Sequence, residues 1–280
     1  MSIAELRRQY HQRLCRDVLR INRDYLVNIA DKASRASRDI AQAIVEQFGC
    51  SLTSDPIPGQ ELGSQFELAT RDFLEQAFAL LHHLRPGQWR FSLNATIAGF
   101  DQYHHLAAIQ AAVSDSPQLK AALGGDYLIT PDIVVARYPV TDEEINLHQT
   151  VVGDADDFCH YSSLRARNQP NLILHASISC KWTIRSDRAQ NVRTEGLNLI
   201  RNRKGRTPHV MVVTAEPLPT RLASVALGTG DVDHVYHFAL NELIEAVNRT
   251  QNDAQLDMLM TMIDGHRLRD ISDLPLDLAI

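Results

Sequence analysis

Asp132, Lys181 and Glu195 are the residues of this chain whose types and spacing invite chemistry. Asp132 follows Pro131 in an apolar run, Thr130 to Ala136, where an unpaired carboxylate is costly to bury. Lys181 closes an alternating strand pattern, and Glu195 follows with thirteen residues between them. Singly, each has an ordinary reading: a salt bridge or turn cap for the aspartate, a lysine reaching for solvent, an exposed helix glutamate. Together they form one toolkit. Two carboxylates on adjacent elements can hold a hard divalent cation through oxygen, and Mg²⁺ keeps waters and substrate phosphates in its other positions. A lysine beside it can orient a water or stabilise charge on the attacked phosphate. That is metal-assisted phosphodiester hydrolysis.

Arg185-Ser186-Asp187-Arg188 follows Lys181 closely. Arginine can bridge guanine O6 and N7 in the major groove, and aspartate can accept from cytosine N4. The competing reading is a capping aspartate with i,i+3 ion pairing. Charge weighs between them. The 280 residues carry a formal net charge of −6, which taken alone disfavours nucleic acid. Residues 181–206, however, hold eight Lys/Arg against Asp187 and Glu195, so this segment is +6 and the remainder −12. A basic segment of that kind is what base readers need around them. Arg203 and Lys204, in the run 202–206, are candidate phosphate contacts or else a solvated helix end.

The elements that must position these residues are legible in outline. Helical spacing covers much of 1–50, with an interruption near 22–31, and returns in 61–84 and 103–123, the last stopped by Gly124 and Gly125. The texture then changes to strands at 127–138, 172–182 and 209–216. In the second of these, Leu172, Leu174, Ala176, Ile178 and Cys180 share one face, and His175, Ser177, Ser179 and Lys181 the other. A helix near 188–201 between the last two strands predicts a βαβ crossover, and a strand with two helices is expected across 235–263. Residues 139–170 read as a long loop or insertion. With 44% apolar and 22% charged residues, 13 Gly and 11 Pro, a collagenous or disordered chain is excluded. The expectation is a single α/β domain over 1–280.

These residues resemble the PD-(D/E)xK restriction endonucleases, in the branch that reads CCGG-core sites. Pro131-Asp132, Ser179-Cys180-Lys181 and Glu195 carry the match, with Arg185-Ser186-Asp187-Arg188 between. The ordinary superfamily has an acid two residues before the lysine, where this chain has Ser179; in the variant branch a glutamate on the next helix replaces it, as Glu195 would. The likeness to NgoMIV-type endonucleases extends through 175–191, 195–206, 212–217, 226–230, 235–240 and 270–279. In the N-terminal half, Gln60 and Glu67 are similar to the family's minor-groove glutamine and additional active-site glutamate.

The resemblance implies a restriction-endonuclease-like core, a central mixed β-sheet flanked by helices. It implies a type II site-specific deoxyribonuclease that cuts double-stranded GCCGGC after the first G, uses Mg²⁺ and leaves four-base 5′ overhangs. It also implies a homotetramer, a dimer of dimers, with a partner methyltransferase protecting host DNA. On this reading Asp132 is the main metal ligand, the Cys180 carbonyl contributes, and Glu67 and Glu195 complete the acidic site. Lys181 positions the attacking water, Arg185, Asp187 and Arg188 read the core, and Asp31 reads the outer base pair.

Other classes leave no such marks. Neither GxGxxG nor GxSxG occurs, so a small-molecule α/β enzyme lacks its phosphate loop or nucleophile elbow. A related nuclease with another target and a non-cleaving DNA-binding protein remain the alternatives. Cys15, Cys50, Cys159 and Cys180 are too few and scattered for a disulfide framework, and the expectation is reduced thiols in a cytoplasmic protein with no membrane span.

Overall fold

The structure, a computed structural model, describes residues 1–123, 128–153, 158–228 and 230–280; the side chains of 123 and 186–188 also lie outside the description. Helices α1 (Ile3–Asp17), α2 (Arg35–Phe48) and α3 (Gly59–Ala79) come first. Strand β1 (Trp89–Leu93), helices α4 (His105–Ser114) and α5 (Pro117–Leu123), strand β2 (Ile133–Arg137) and short α6 (Asp142–Ile145) follow. Then come β3 (Ile173–Lys181), α7 (Ser186–Asn202), β4 (His209–Thr214), α8 (Pro219–Ala226) and β5 (His234–His237). Helices α9 (Leu240–Arg249) and α10 (Asp253–Asp264), β6 (Leu268–Asp270) and α11 (Leu274–Asp277) complete the chain.

The six strands lie in sheet order β1-β2-β3-β4-β5-β6. β1 and β2 are antiparallel, whereas β4, β5 and β6 run parallel, so the sheet is mixed, as expected. Two compact units divide the chain, one formed by 1–85, 178–197 and 210–280, the other by 86–177 and 198–209. Strand β3 crosses the division. Its residues from Leu174 to Cys180 are all buried, the polar His175, Ser177 and Ser179 included, so both faces are covered.

In the first unit, Ser2 and Glu5 form a capping box that starts α1. Tyr10 of α1 shares a 3.0 Å hydroxyl hydrogen bond with Thr70 of α3. Arg7 donates from Nε and Nη2 to Asp270 (2.8 Å each) and from Nη1 and Nη2 to Glu242 (2.9 and 2.6 Å), tying α1 to α9 and β6. Removing the guanidinium strands two largely buried carboxylates. Arg7→Met is expected to lower unfolding stability by about 3–5 kcal/mol in urea titrations. A loss below about 1 kcal/mol contradicts this account of how α1 is held.

A disulfide joins Cys15, near the end of α1, to Cys50, just past the Gly49 cap of α2. This corrects the expectation of reduced thiols at these two positions. The helix ends bring together cysteines 35 residues apart, a proximity that spacing alone does not signal. Cys159 and Cys180 are free. Thiol titration of denatured, unreduced protein is therefore expected to find two thiols, and four after reduction; four before reduction contradicts the pairing.

The second unit contains two further differences from the sequence expectation. The helix expected at 103–123 is two, because Pro117 cannot donate to the preceding turn and instead starts α5. The insertion 139–170 is organised in its described part around Arg165, which is 2% exposed and donates to both oxygens of Asp142 (2.6 and 2.7 Å). Here too the Gln102 side-chain amide bonds both backbone groups of Leu174 (2.7 and 2.9 Å), acting as a short strand substitute beside β3. Among the described residues no helix is long and apolar enough to cross a membrane.

Candidate active site and DNA-reading cleft

Alternation along β3 puts Ser179 and Lys181 on one face. Ser179 Oγ donates to Glu195 Oε2 at 3.0 Å, so a carboxylate from α7 sits beside the strand position two residues before the lysine. Helix α7 also packs tightly against the Asp231 backbone, because residue 196 is glycine. A Cβ at Gly196 would lie 2.1 Å from the carbonyl oxygen of Asp231. The next anchor is Arg193, whose guanidinium reaches Asp231 Oδ2 at 3.0 Å and the carbonyls of Ser224 and Leu227. Part of the basic segment 181–206 thus secures α7 in the fold.

Glu67 is half-buried on α3. Its neighbour Phe66 meets Trp182, the residue after Lys181, edge-on with ring centroids 5.0 Å apart. That contact seats α3 beside the end of β3, with acid and lysine each one residue from it. Cys180 is buried. Gln60 is exposed in the first turn of α3. Asp132, in the second unit, is half-buried and immediately precedes β2, not mid-strand as its apolar surroundings imply. Pro131 ends the irregular stretch there, and the Asp132 carbonyl accepts from Asn94 N–H at 3.1 Å.

A cleft of about 1320 Å³ opens in the first unit, lined by Asn28, Asp31, Thr183, Arg185 and Arg221 among others. Arg185 is exposed. Asp31 and Arg221 form an ion pair across the cleft wall. The Ala33 N–H, donating at 2.9 Å, and then the Arg221 guanidinium hold the Asp31 carboxyl below its ordinary range. Arg221 lines the same cleft, yet nothing in the sequence singles it out: its partner lies 190 residues away. Glu216, fully buried between β4 and α8, is the other residue not anticipated. Its Oε2 accepts from Ile184 N–H at 2.8 Å and its Oε1 from Leu218 N–H at 3.1 Å. Burial pushes its carboxyl up, against the opposing pull of those hydrogen bonds.

The side chains of Asp187 and Arg188 lie outside the described residues. Arg203 bends back to donate to the Ile200 carbonyl, capping the end of α7, while Lys204 is exposed. Among the described residues no group of three or more His, Cys, Asp or Glu side chains converges as a metal-holding set.

The sequence profile of the NgoMIV restriction enzyme family matches residues 10–280 of the chain. The chain is 48% identical to the type II restriction enzyme NgoMIV of Neisseria gonorrhoeae over 280 residues, 98% of this chain and 97% of that protein. Among solved structures, it is similar to a complex of restriction endonuclease PspGI with substrate DNA. That match has TM-score 0.36 and 12% identity, covering 99% of this chain and 92% of that one. Bse634I restriction endonuclease matches with TM-score 0.34 and 14% identity, over 76% and 81% of the two chains.

Proposed function

The chain belongs to the NgoMIV restriction enzyme family, and from that premise we propose that it makes Mg²⁺-dependent double-strand cuts at a palindromic CCGG-core site. As a type II restriction endonuclease it is a site-specific deoxyribonuclease. The proposed target is GCCGGC, cut after the first G to leave a four-base 5′ overhang. The observation that carries the reading is the Ser179–Glu195 hydrogen bond: a helix glutamate stands beside the strand position where the ordinary superfamily has its acid.

The donor set fits a hard cation. Asp132, Glu67, Glu195 and the Cys180 carbonyl offer oxygen only, since the Cys180 thiol is buried. Mg²⁺ held by these residues would supply the positive charge that polarises a scissile phosphate and eases deprotonation of water. Lys181 orients the attacking water and balances charge developing on the phosphate. Ser179 fixes the Glu195 carboxylate. Arg185, Asp187 and Arg188 read the core base pairs from the major groove, and Gln60 lies in the minor groove. Asp31, with its partner Arg221, reads the outer pair. Lys204 contacts the backbone, and Arg203 does so only after releasing the helix end it caps.

A homodimer presents the readers twice about a two-fold axis, matching a palindrome, and two dimers form the tetramer. A methyltransferase of the same specificity protects the host DNA, and the enzyme acts in the cytoplasm. Residues 1–280 serve as one catalytic domain, since β3 belongs to both compact units. Incubation with plasmid DNA tests the reading: discrete fragments with Mg²⁺ and intact plasmid with EDTA are expected. Cleavage that persists in EDTA, or smeared products without fixed ends, contradicts it.

A further inference from the structure

Glu216 has no role in phosphodiester chemistry as proposed above, yet it is a fully buried acid that touches both arginine-bearing walls of the cleft. Its Oε2 receives the Ile184 N–H at 2.8 Å, one residue before Arg185. The same oxygen lies 3.9 Å from Arg221 Nη1, and Arg221 is paired with Asp31. Its Oε1 receives the Leu218 N–H at 3.1 Å, just ahead of Pro219, where α8 begins. The backbone of Glu216 is itself fixed, its N–H donating to Thr214 Oγ1 at 3.1 Å.

This arrangement is more specific than a buried acid finding partners. Only Trp182, Thr183 and Ile184 separate Lys181 at the end of β3 from Arg185. The Ile184 amide is where that short connection is tied to the rest of the fold, and Arg185 itself begins α7 by accepting from Ala189 N–H at 3.0 Å. Successive base pairs are about 3.4 Å apart, so a shift of about 1 Å in either arginine degrades bidentate contact with its base. A carboxylate can bond both edges of the cleft at once because it accepts on two oxygens; an amide replaces one acceptor with a donor.

We infer that Glu216 is a positioning residue for sequence discrimination, holding Arg185 through the Ile184 amide and Arg221 through charge at one fixed spacing. Its loss degrades the choice of site more than the cleavage step. The inference rests on the proposed role of the cleft in reading DNA.

The test compares wild type with Glu216→Gln and Glu216→Asp, each checked for folding by its thermal melt. Steady-state cleavage is measured on a duplex bearing the wild-type site, identified first by mapping the wild-type ends, and on duplexes with one base pair changed. For either folded variant, the ratio of kcat/KM between cognate and changed sites is expected to fall at least tenfold. KM for the cognate site should rise, with kcat within a few-fold of wild type. An unchanged ratio overturns the inference, whether overall activity is kept or lost. If neither variant folds, amide hydrogen exchange in the wild type decides: strong protection of Ile184 N–H is expected, and rapid exchange overturns it. A wild-type site without a CCGG core would refute the proposed target, while the ratio at the mapped site would still test Glu216.

Discussion

Replacing Lys181 with alanine is expected to lower the cleavage rate by at least about 10³-fold while leaving specific DNA binding within a few-fold of wild type. Lys181 ends β3, and its backbone is held between the buried Cys180 and the Phe66–Trp182 ring contact, so truncating the half-buried side chain does not unseat the strand. On the proposed mechanism, what is lost is one positive charge at the reacting phosphate and the group that orients the water. Glu195→Ala is expected to behave alike, because it removes a carboxylate from the proposed metal-holding set. Ser179→Ala is the informative contrast. It deletes only the 3.0 Å bond that orients Glu195, about 1.5–3 kcal/mol for a hydrogen bond to a charged group, so a loss of roughly 10- to 100-fold is expected. Single-turnover cleavage together with gel-shift binding in Ca²⁺ separates the two effects. A Lys181→Ala protein with near-normal rate removes the lysine from the mechanism.

Gly196→Ala is expected to be nearly as damaging, although a single methyl group is added and no charge changes. The new Cβ would stand 2.1 Å from the Asp231 carbonyl oxygen, and 3.4 Å from a Val210 methyl, so α7 or the Asp231 backbone must give by about 1 Å. Overpacking of this kind costs roughly 1–3 kcal/mol of stability. Displacement of about 1 Å at a catalytic group costs on the order of 10²-fold in rate. Glu195 is the adjacent residue, and Arg193 anchors the same turn to Asp231, so both consequences are expected together. The melting temperature should fall by a few degrees and cleavage by about 10²-fold. A variant that melts lower yet cleaves normally contradicts the proposal that α7 sets the position of the acid.

How much of this was visible in the sequence depended on whether the determining contact was local. α3 and β4 were legible because each carries an uninterrupted pattern, three- and four-residue spacing in one and a fully apolar run in the other. β1 was missed although Trp89, Phe91 and Leu93 alternate with Arg90 and Ser92, because five residues give a short signal and pairing with β2 is what makes them a strand. β6, three residues long, is defined by its neighbour β5. In the site, the relation of Lys181 to Ser179 follows from strand alternation; Glu195 was picked out by type and spacing with Asp132 and Lys181, and the family resemblance gave it the place of the missing strand acid. The ion pair of Asp31 with Arg221 spans 190 residues, and the Cys15–Cys50 bond joins two helix ends; no local spacing announces either. Glu216 lies within the family-like segment 212–217 but carries no visible task in the sequence, because its hydrogen-bond partners are backbone amides, which leave no mark in side-chain pattern.

Sequencing the termini of a Mg²⁺-dependent plasmid digest decides whether this endonuclease selects a CCGG-core palindrome as proposed. Every cut is expected to fall within GCCGGC, after the first G on each strand, giving identical four-base 5′ overhangs. Cuts at sites without CCGG at their centre would contradict the assignment of Arg185, Asp187 and Arg188 as readers.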